Sequence, residues 1–485
     1  MKINIQFTEE INTQKYDYQI LCISPKTIAK INNPIIQKAI DASDFTAKIG
    51  KTLTIHSEKI ILVGIGDKIA KTSDTNKIGG TIAKIISDNK QIKNCLIIAD
   101  NISFKTLAQI AFAIKLRTYT FTKYKTDNKN KTESSRKVSI TIHTSDSAEA
   151  NIEYANFDAI ADGIYTTRDL ANEPSNILTT TEFISRLKPL SKLGCSIEIF
   201  DEKALRKIGA NLILAVGSGS INPPYMAIIK YTGNKKSKQS ACLVGKGLCF
   251  DAGGICIKPS KGMDEMKSDM TGAATVIGVI EAIAKQHAPV NITGIIGLAE
   301  NMPDGASYKP GDILTSLSGQ TVEVIDTDAE GRLVLADCLT YASTKLKPNV
   351  IIDLATLTGA IIVALGDTTT GLFSTSDNLA TNLIHAGKDT AEDLWRMPLG
   401  EKFTEMIKSD IADIRNLGNP SRSAGSITAA AFLEKFIMNK DIEWAHLDIA
   451  GSAWANSATD IAPKGMTGTC VYMLTHYITQ IFAKK

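Results

Sequence analysis

Two short stretches of this chain gather residues whose types could do chemistry together. The first, residues 244–272, reads VGKGLCFDAGGICIKPSKGMDEMKSDMTG and places Lys246, Asp251, Lys258 and Asp269 among apolar residues and glycines. Charged side chains in such a setting are costly unless they pair with one another or bind a metal ion. Gly253 and Gly254 permit tight backbone geometry there. The second stretch, Asp326-Thr-Asp-Ala-Glu-Gly-Arg-Leu333, puts three acids and one arginine within seven residues, just before an apolar stretch with helical character. Asp328 and Glu330 stand two apart, and in extended backbone that spacing turns both carboxylates to one face. Hard oxygen donors arriving from two segments can hold two divalent cations.

Other chemistries are poorly served. The six histidines (His56, His143, His287, His385, His446 and His476) all lie outside both stretches, so an HExxH-type zinc site is absent. His446 falls in an expected strand beside Asp448, where a structural role is expected. The glycine-rich loop 245–254 lacks the order of a phosphate-binding P-loop. Gly217-Ser-Gly219 lacks a third glycine because position 222 is Asn, so it is a weak dinucleotide signal.

The elements that must position these residues follow from the pattern of apolar runs. The first cluster follows an apolar strand, so its loop lies at a strand's C-terminal end, where α/β folds place their sites. Strands are expected at 212–216, 225–230, 241–245, 292–297, 350–354 and 443–448, and helices at 271–286, 331–345, 426–438 and 469–483. Upstream, the runs at 59–64 and 94–99 read as strands, with a helix over 78–88 between them. Residues 156–168 read as a connecting helix that Pro174 stops. The resulting division is an N-terminal α/β domain over 1–150, a connecting helix and linker over 151–180, and a site-bearing α/β domain over 181–485. A length of 485 residues suits two cores better than one.

Composition agrees with a soluble globular chain, 44% hydrophobic and 22% charged. No secretory signal and no membrane-spanning apolar run is visible. The eight cysteines form no CxxC pair and read as reduced, packed thiols. A cytoplasmic location is therefore expected. Residues 1–150 carry 23 Lys and Arg against 14 Asp and Glu, a balance of +9, while the remainder balances at −6. The basic stretch 115–137 within that first part reads as a solvated face. DNA binding by the N-terminal domain is the rival reading, without a base-reading element to support it.

With both stretches in view, the chain resembles the leucyl (cytosol) aminopeptidase family. The family octapeptide Asn-Thr-Asp-Ala-Glu-Gly-Arg-Leu is matched at seven of eight positions, with Asp326 in place of the Asn. The likeness continues through 169–174, 355–360, 423–430, 446–454 and 464–468, and so covers about residues 165–485. It implies a macro-like N-terminal sheet and a catalytic domain with a mixed, twisted sheet flanked by helices. It also implies hydrolysis of N-terminal peptide bonds, assembly as a hexamer of two trimers, and two divalent ions per chain: Zn²⁺ or Mn²⁺, with Mg²⁺ an option at the exchangeable position. By the same resemblance Asp251 and Glu330 bridge the ions, Lys246 and Asp269 complete the tighter position, and Asp328 completes the looser one. Lys258 faces the substrate carbonyl, and Arg332 holds a bicarbonate that acts as general base. Met266, Thr356, Leu357, Gly359 and Met466 line the pocket for the N-terminal side chain, an apolar wall that suits Leu and Met.

Overall fold

The computed structural model describes residues 1–99, 101–126, 136–420 and 423–483. They form two compact units: Met1–Ala161 with Ala455–Gly465, and Asp162–Trp454 with the chain from Met466 onward.

The first unit is built on six strands: β1 (Lys2–Thr8), β2 (Tyr18–Ile23), β3 (Thr52–Ile55), β4 (Ile60–Gly64), β5 (Asn94–Ala99) and β6 (Lys137–His143). Their order is β1-β6-β5-β2-β4-β3, parallel throughout except β3 against β4. The apolar runs expected as strands are β4 and β5. All of β4 is buried, which is why its sequence is a continuous apolar run rather than an alternating one. Helix α1 (Thr72–Asp88) buries Ile78, Ile82 and Ile86 on one stripe and packs on α2 (Phe104–Arg117). Each such isoleucine contributes about 1.5–3 kcal/mol on burial. Helix α1 starts six residues before the expected helix because Asp74 accepts from the backbone N–H groups of Ala70 and Lys71 and secures an earlier first turn.

Of the basic stretch 115–137, residues 127–135, including Lys129 and Lys131, lie outside the described residues. Several of the others are engaged within the unit. Lys115 pairs with Asp158 at 2.6 Å. Arg136 donates to the carbonyls of Ile86, Asn89 and Ile92, and Lys123 lies over the Tyr124 ring. Helix α3 (Ser147–Asn172) contains the expected connecting helix and ends just before Pro174.

The second unit contains β7 (Ser196–Phe200), β8 (Tyr225–Thr232), β9 (Ala241–Asp251), β10 (Asn291–Asn301), β11 (Ile313–Thr315), β12 (Thr321–Glu323), β13 (Val350–Ala355), β14 (Thr370–Ser374), β15 (Leu394–Arg396), β16 (Ile414–Arg415) and β17 (Glu443–Asp448). Eight of them make one mixed sheet ordered β15-β14-β17-β13-β9-β10-β8-β7, whose centre, β17-β13-β9-β10, is parallel. A separate small sheet, β11-β12-β16, carries the acidic loop. The helices that bear on the site and its sheet include α4 (Asn211–Val216), α5 (Thr271–Lys285), α6 (Gly331–Tyr341), α7 (Gly359–Leu365), α8 (Gly425–Glu434) and α9 (Val471–Phe482). A Cβ on Gly294 of β10 would meet Val276 and Ile280 of α5, and one on Gly297 would meet Val334 and Cys338 of α6. Strand alternation therefore puts these two helices on opposite faces of the sheet.

One expected strand is a helix. Residues 212–216 (LILAV) form most of α4. A five-residue apolar run does not by itself distinguish strand from helix. Here the buried Asp337 carboxylate accepts from the N–H groups of Leu212 and Ile213 at 2.9 and 3.2 Å, capping a helix start from a distant part of the chain. All eight cysteines are free, seven of them buried. Among the described residues no helix is long and apolar enough to cross a membrane.

Candidate metal centre

The parallel strands β9 and β13 deliver their C-terminal ends to one place, and the loop before α6 meets them there. Lys246 lies within β9 and Asp251 ends it. Lys246 Nζ sits 2.9 Å from Asp269 Oδ2, 2.9 Å from Glu330 Oε1 and 3.0 Å from the Thr356 carbonyl just past β13. The amine reaches that position because residue 331 is glycine. A Cβ there would stand 2.5–2.7 Å from Cδ, Cε and Nζ of Lys246. Lys258 Nζ lies 2.8 Å from Asp251 Oδ2 and also contacts Asp328 Oδ1. One carboxylate oxygen each of Asp251, Asp328 and Glu330 lie within 4.8 Å of one another. Asp269 joins the cluster through Lys246.

Burial divides the cluster into two halves. The side chains of Lys246, Asp269 and Glu330 are 2–6% exposed, whereas Lys258 is 20% and Asp328 36% exposed. The backbone that sets this up is a turn rather than the extended segment expected at 328–330. Ala329 N bonds back to the Asp326 carbonyl, and Asp326 Oδ1 accepts from Asp328 N at 2.9 Å. The two carboxylates thus converge through a turn held by Asp326, the residue that departs from the octapeptide. An Asn at 326 could accept the same bond, so the local geometry does not depend on that departure.

The electrostatics follow from four carboxylates around two ammonium groups. Burial disfavours the Lys246 ammonium, but Asp269, Glu330 and Asp251 outweigh it and hold its pKa above the usual lysine value. Lys258 behaves likewise, with Asp251, Glu330 and Asp328 outweighing burial. The two cations cannot satisfy four acids. Burial, then repulsion from Asp251, pushes Glu330 up to about 8. Burial pushes Asp269 up to about 6 against the pull of Lys246. Glu330 Oε2 is buried without a hydrogen-bond partner. A buried site with surplus negative charge and an orphaned carboxylate oxygen fits divalent cations bound by hard donors. A lysine can join such a ligand set only as the neutral amine, a form that a neighbouring dication favours.

Residues that sequence reasoning passed over knit the two stretches together. Thr327 Oγ1 donates to the Gly253 carbonyl at 2.6 Å and accepts from Cys256 N at 2.9 Å. Asn301, ending β10, donates to Asp251 Oδ1 and to the Thr327 carbonyl, and that carbonyl also accepts from the Tyr308 hydroxyl. Gly253 and Gly254 take φ of +87° and +66°, and the loop 252–258 closes by Lys258 N bonding to the Ala252 carbonyl.

The remaining expected residues flank the cluster. Arg332 is buried and makes no ion pair with the acids among the described residues. Its Nη1 donates to the Asn416 carbonyl at 2.7 Å, and burial lowers its pKa to about 10. Thr356 Oγ1 donates to Asp269 Oδ1 at 2.8 Å. Leu357 N and the Thr358 hydroxyl bond to Asp448, which ends β17. Met266 and Leu357 are partly exposed, Gly359 is exposed and Met466 is buried. His446 turns to Asp353 rather than Asp448. Its Nδ1 lies 2.6 Å from a carboxylate that also accepts from Trp444 Nε1, and its ring stacks on Phe373.

Comparison with known proteins agrees with this geometry. Residues 165–475 match the model of the cytosol aminopeptidase family catalytic domain, and residues 20–128 match that of the family's N-terminal domain. A probable cytosol aminopeptidase of Nitrobacter winogradskyi is 44% identical over 464 residues, covering 93% of this chain and 91% of the relative. One of Rhizobium leguminosarum bv. trifolii is 44% identical over 453 residues, covering 92% and 90%. Among solved structures, a tomato leucine aminopeptidase mutant superposes with a TM-score of 0.88 at 30% identity, covering 99% of this chain and 97% of that one. The bottromycin maturation enzyme BotP in complex with Mn gives 0.84 at 28% identity, covering 96% and 99%. The chain belongs to the cytosol aminopeptidase family and is a metal-dependent aminopeptidase, a hydrolase.

Proposed function

We propose that the chain removes N-terminal residues from peptides in the cytoplasm, favouring leucine and other apolar residues, and that it holds two divalent ions while doing so. The observation that carries this reading is the paired nest: two lysines within a ring of four carboxylates, one half closed and the other open. Lys246 and Asp269 belong to the closed position, Asp328 to the open one, and Asp251 and Glu330 stand between them. Zn²⁺ or Mn²⁺ suits the closed position, and Mn²⁺ or Mg²⁺ the open one. When bound, such a pair supplies an acidified water and polarises the scissile carbonyl.

The chain's own groups do the rest. Lys258 is kept charged by its carboxylates and stabilises negative charge that develops on the carbonyl oxygen. The carboxylate-rich open half receives a free α-amine, which an internal peptide bond cannot offer; this favours exopeptidase action. Arg332 is cationic, buried and free of acid partners among the described residues, and it suits a small anion. A bicarbonate held there by Arg332 would supply a general base. Met266, Thr356, Leu357, Gly359 and Met466 accept the N-terminal side chain. Assembly as a homohexamer rests on family resemblance alone.

The deciding experiment pairs metal analysis with release of amino acid from leucinamide and from its N-acetylated form. Two ions per chain and hydrolysis of only the free amine are expected. Full activity in demonstrably metal-free protein would overturn the two-ion reading.

A further inference from the structure

Asn416 follows β16, 90 residues from Asp326 of the acidic loop in sequence, and it is fully buried. Its backbone N donates to the Glu323 carbonyl at the end of β12, as a paired strand would. The side chain then continues the pairing where the strand stops. Oδ1 accepts from Ile325 N at 2.7 Å and from Asp326 N at 3.3 Å. Nδ2 donates to the Asp326 carbonyl at 2.6 Å and to the Ala329 carbonyl at 3.4 Å. Its own carbonyl accepts from Arg332 Nη1 at 2.7 Å. One side-chain amide therefore spans both ends of the turn that presents Asp328, and the same residue's carbonyl fixes the guanidinium two positions past Glu330.

We propose that Asn416 is a positioning residue for the hydrolysis: its amide fixes the backbone that carries Asp328 and Glu330, and its carbonyl fixes Arg332. It touches neither the scissile bond nor the carboxylate oxygens. It acts by holding the acidic loop and the anion-facing arginine in one register, as buried outer-shell partners of ligand groups do. The inference rests on the functional reading above. Other side chains cannot substitute easily, because only a short amide offers both an acceptor and a two-proton donor at this reach.

A second asparagine provides the control. Asn291, at the start of β10, also spends its side chain on backbone. It accepts from Asn234 N and donates to the carbonyls of Asn234, Ser237 and Gln239. That loop carries none of the cluster residues, so Asn291→Ala should cost stability alone. Full-length wild type, Asn416→Ala and Asn291→Ala would be compared by thermal melting, by calorimetric titration of metal-free protein with Mn²⁺, and by kcat and KM on leucine p-nitroanilide.

The expected result for Asn416→Ala is a loss of about 10–100-fold in Mn²⁺ affinity at one position or in kcat, with KM changing less. Asn291→Ala should melt lower yet keep wild-type Mn²⁺ binding and kcat. If Asn416→Ala also keeps both within twofold, Asn416 is a structural residue only and the proposal fails. If Asn416→Ala does not fold, Asn416→Asp carries the test. It keeps the shape and the acceptor but loses the donor, and the same loss is expected. If neither variant folds while Asn291→Ala does, the residue is a folding determinant and the proposal is overturned. A wild type without Mn²⁺-dependent activity would instead sink the functional reading on which the proposal stands.

Discussion

The two halves of the cluster share carboxylate chemistry but differ in their walls. Lys246 sits among β9, the end of β13 and the first turn of α6, and its acid partners Asp269 and Glu330 are no more than 6% exposed. Lys258 lies on a glycine-shaped loop with a partner, Asp328, that is one-third open to solvent. The difference teaches that closed and open positions need not come from different residue types. Both use a lysine and acids, and depth separates them: one is sealed within the fold and the other opens to solvent.

The sharpest break of this comparison is at Glu330, which faces Lys246 on one side and groups with Asp251 and Asp328 on the other. Glu330→Ala should reduce bound metal below two ions per chain and abolish turnover. Normal metal content in the variant, measured by elemental analysis, would contradict a shared role. Next comes Lys258→Ala, which should leave both ions bound while kcat falls by about 10²–10³, the usual cost of one oxyanion-stabilising donor. Lys258→Arg should not restore the rate fully, because a planar guanidinium cannot take the compact place of an ammonium. Near-normal kcat in Lys258→Ala would remove the residue from the carbonyl's side.

A smaller effect sharpens the open half alone. Asp328→Asn should weaken one of two ions in a calorimetric titration and leave the other unchanged. Equal weakening of both would mean that the halves are not separable.

The smallest effect concerns an acid with no lysine at all. Asp337 in α6 is buried and accepts from Leu212, Ile213 and Leu317 N–H groups. Burial outweighs those bonds and raises its pKa from 3.8 to about 7. The folded chain then holds this proton more tightly than the unfolded one, so stability falls as pH rises from about 4 to about 7. Glu392, raised to about 7 by burial, acts with the same sign. The melting temperature should therefore decline across that window, and less steeply in Asp337→Asn. An unchanged slope would reassign the titrating group.

The sequence made the cluster legible because its members crowd into two short stretches whose residue types have few other uses. The chain's division into a smaller and a larger α/β unit was readable from apolar runs for a similar reason. What stayed hidden depends on long-range partners. The capped start of α4 needs Asp337, about 125 residues away. Asn301 and Asn416 look like ordinary strand-end polar residues until their bonds to Asp251, Thr327 and the acidic loop are seen. The turn at 326–329 defeats a spacing argument built on extended backbone, since its carboxylates converge for a different geometric reason. His446 likewise has its partner on the neighbouring strand at Asp353, not two residues along its own.

One consequence follows from the distance along the chain between the two acidic stretches. Residues 246–269 supply Lys246, Asp251 and Asp269 of the proposed donor set and residues 328–330 supply Asp328 and Glu330, with α5, β10, β11 and β12 between them in the chain. Neither stretch alone can enclose an ion, so the affinity belongs to the folded chain and vanishes with it. Dissolved metal is then a thermodynamic ligand of the native state. Each ion at a hundredfold excess over its dissociation constant adds about 2.7 kcal/mol to stability. The concentration of free divalent metal around the protein would thereby govern how long the enzyme survives, separately from how fast it works.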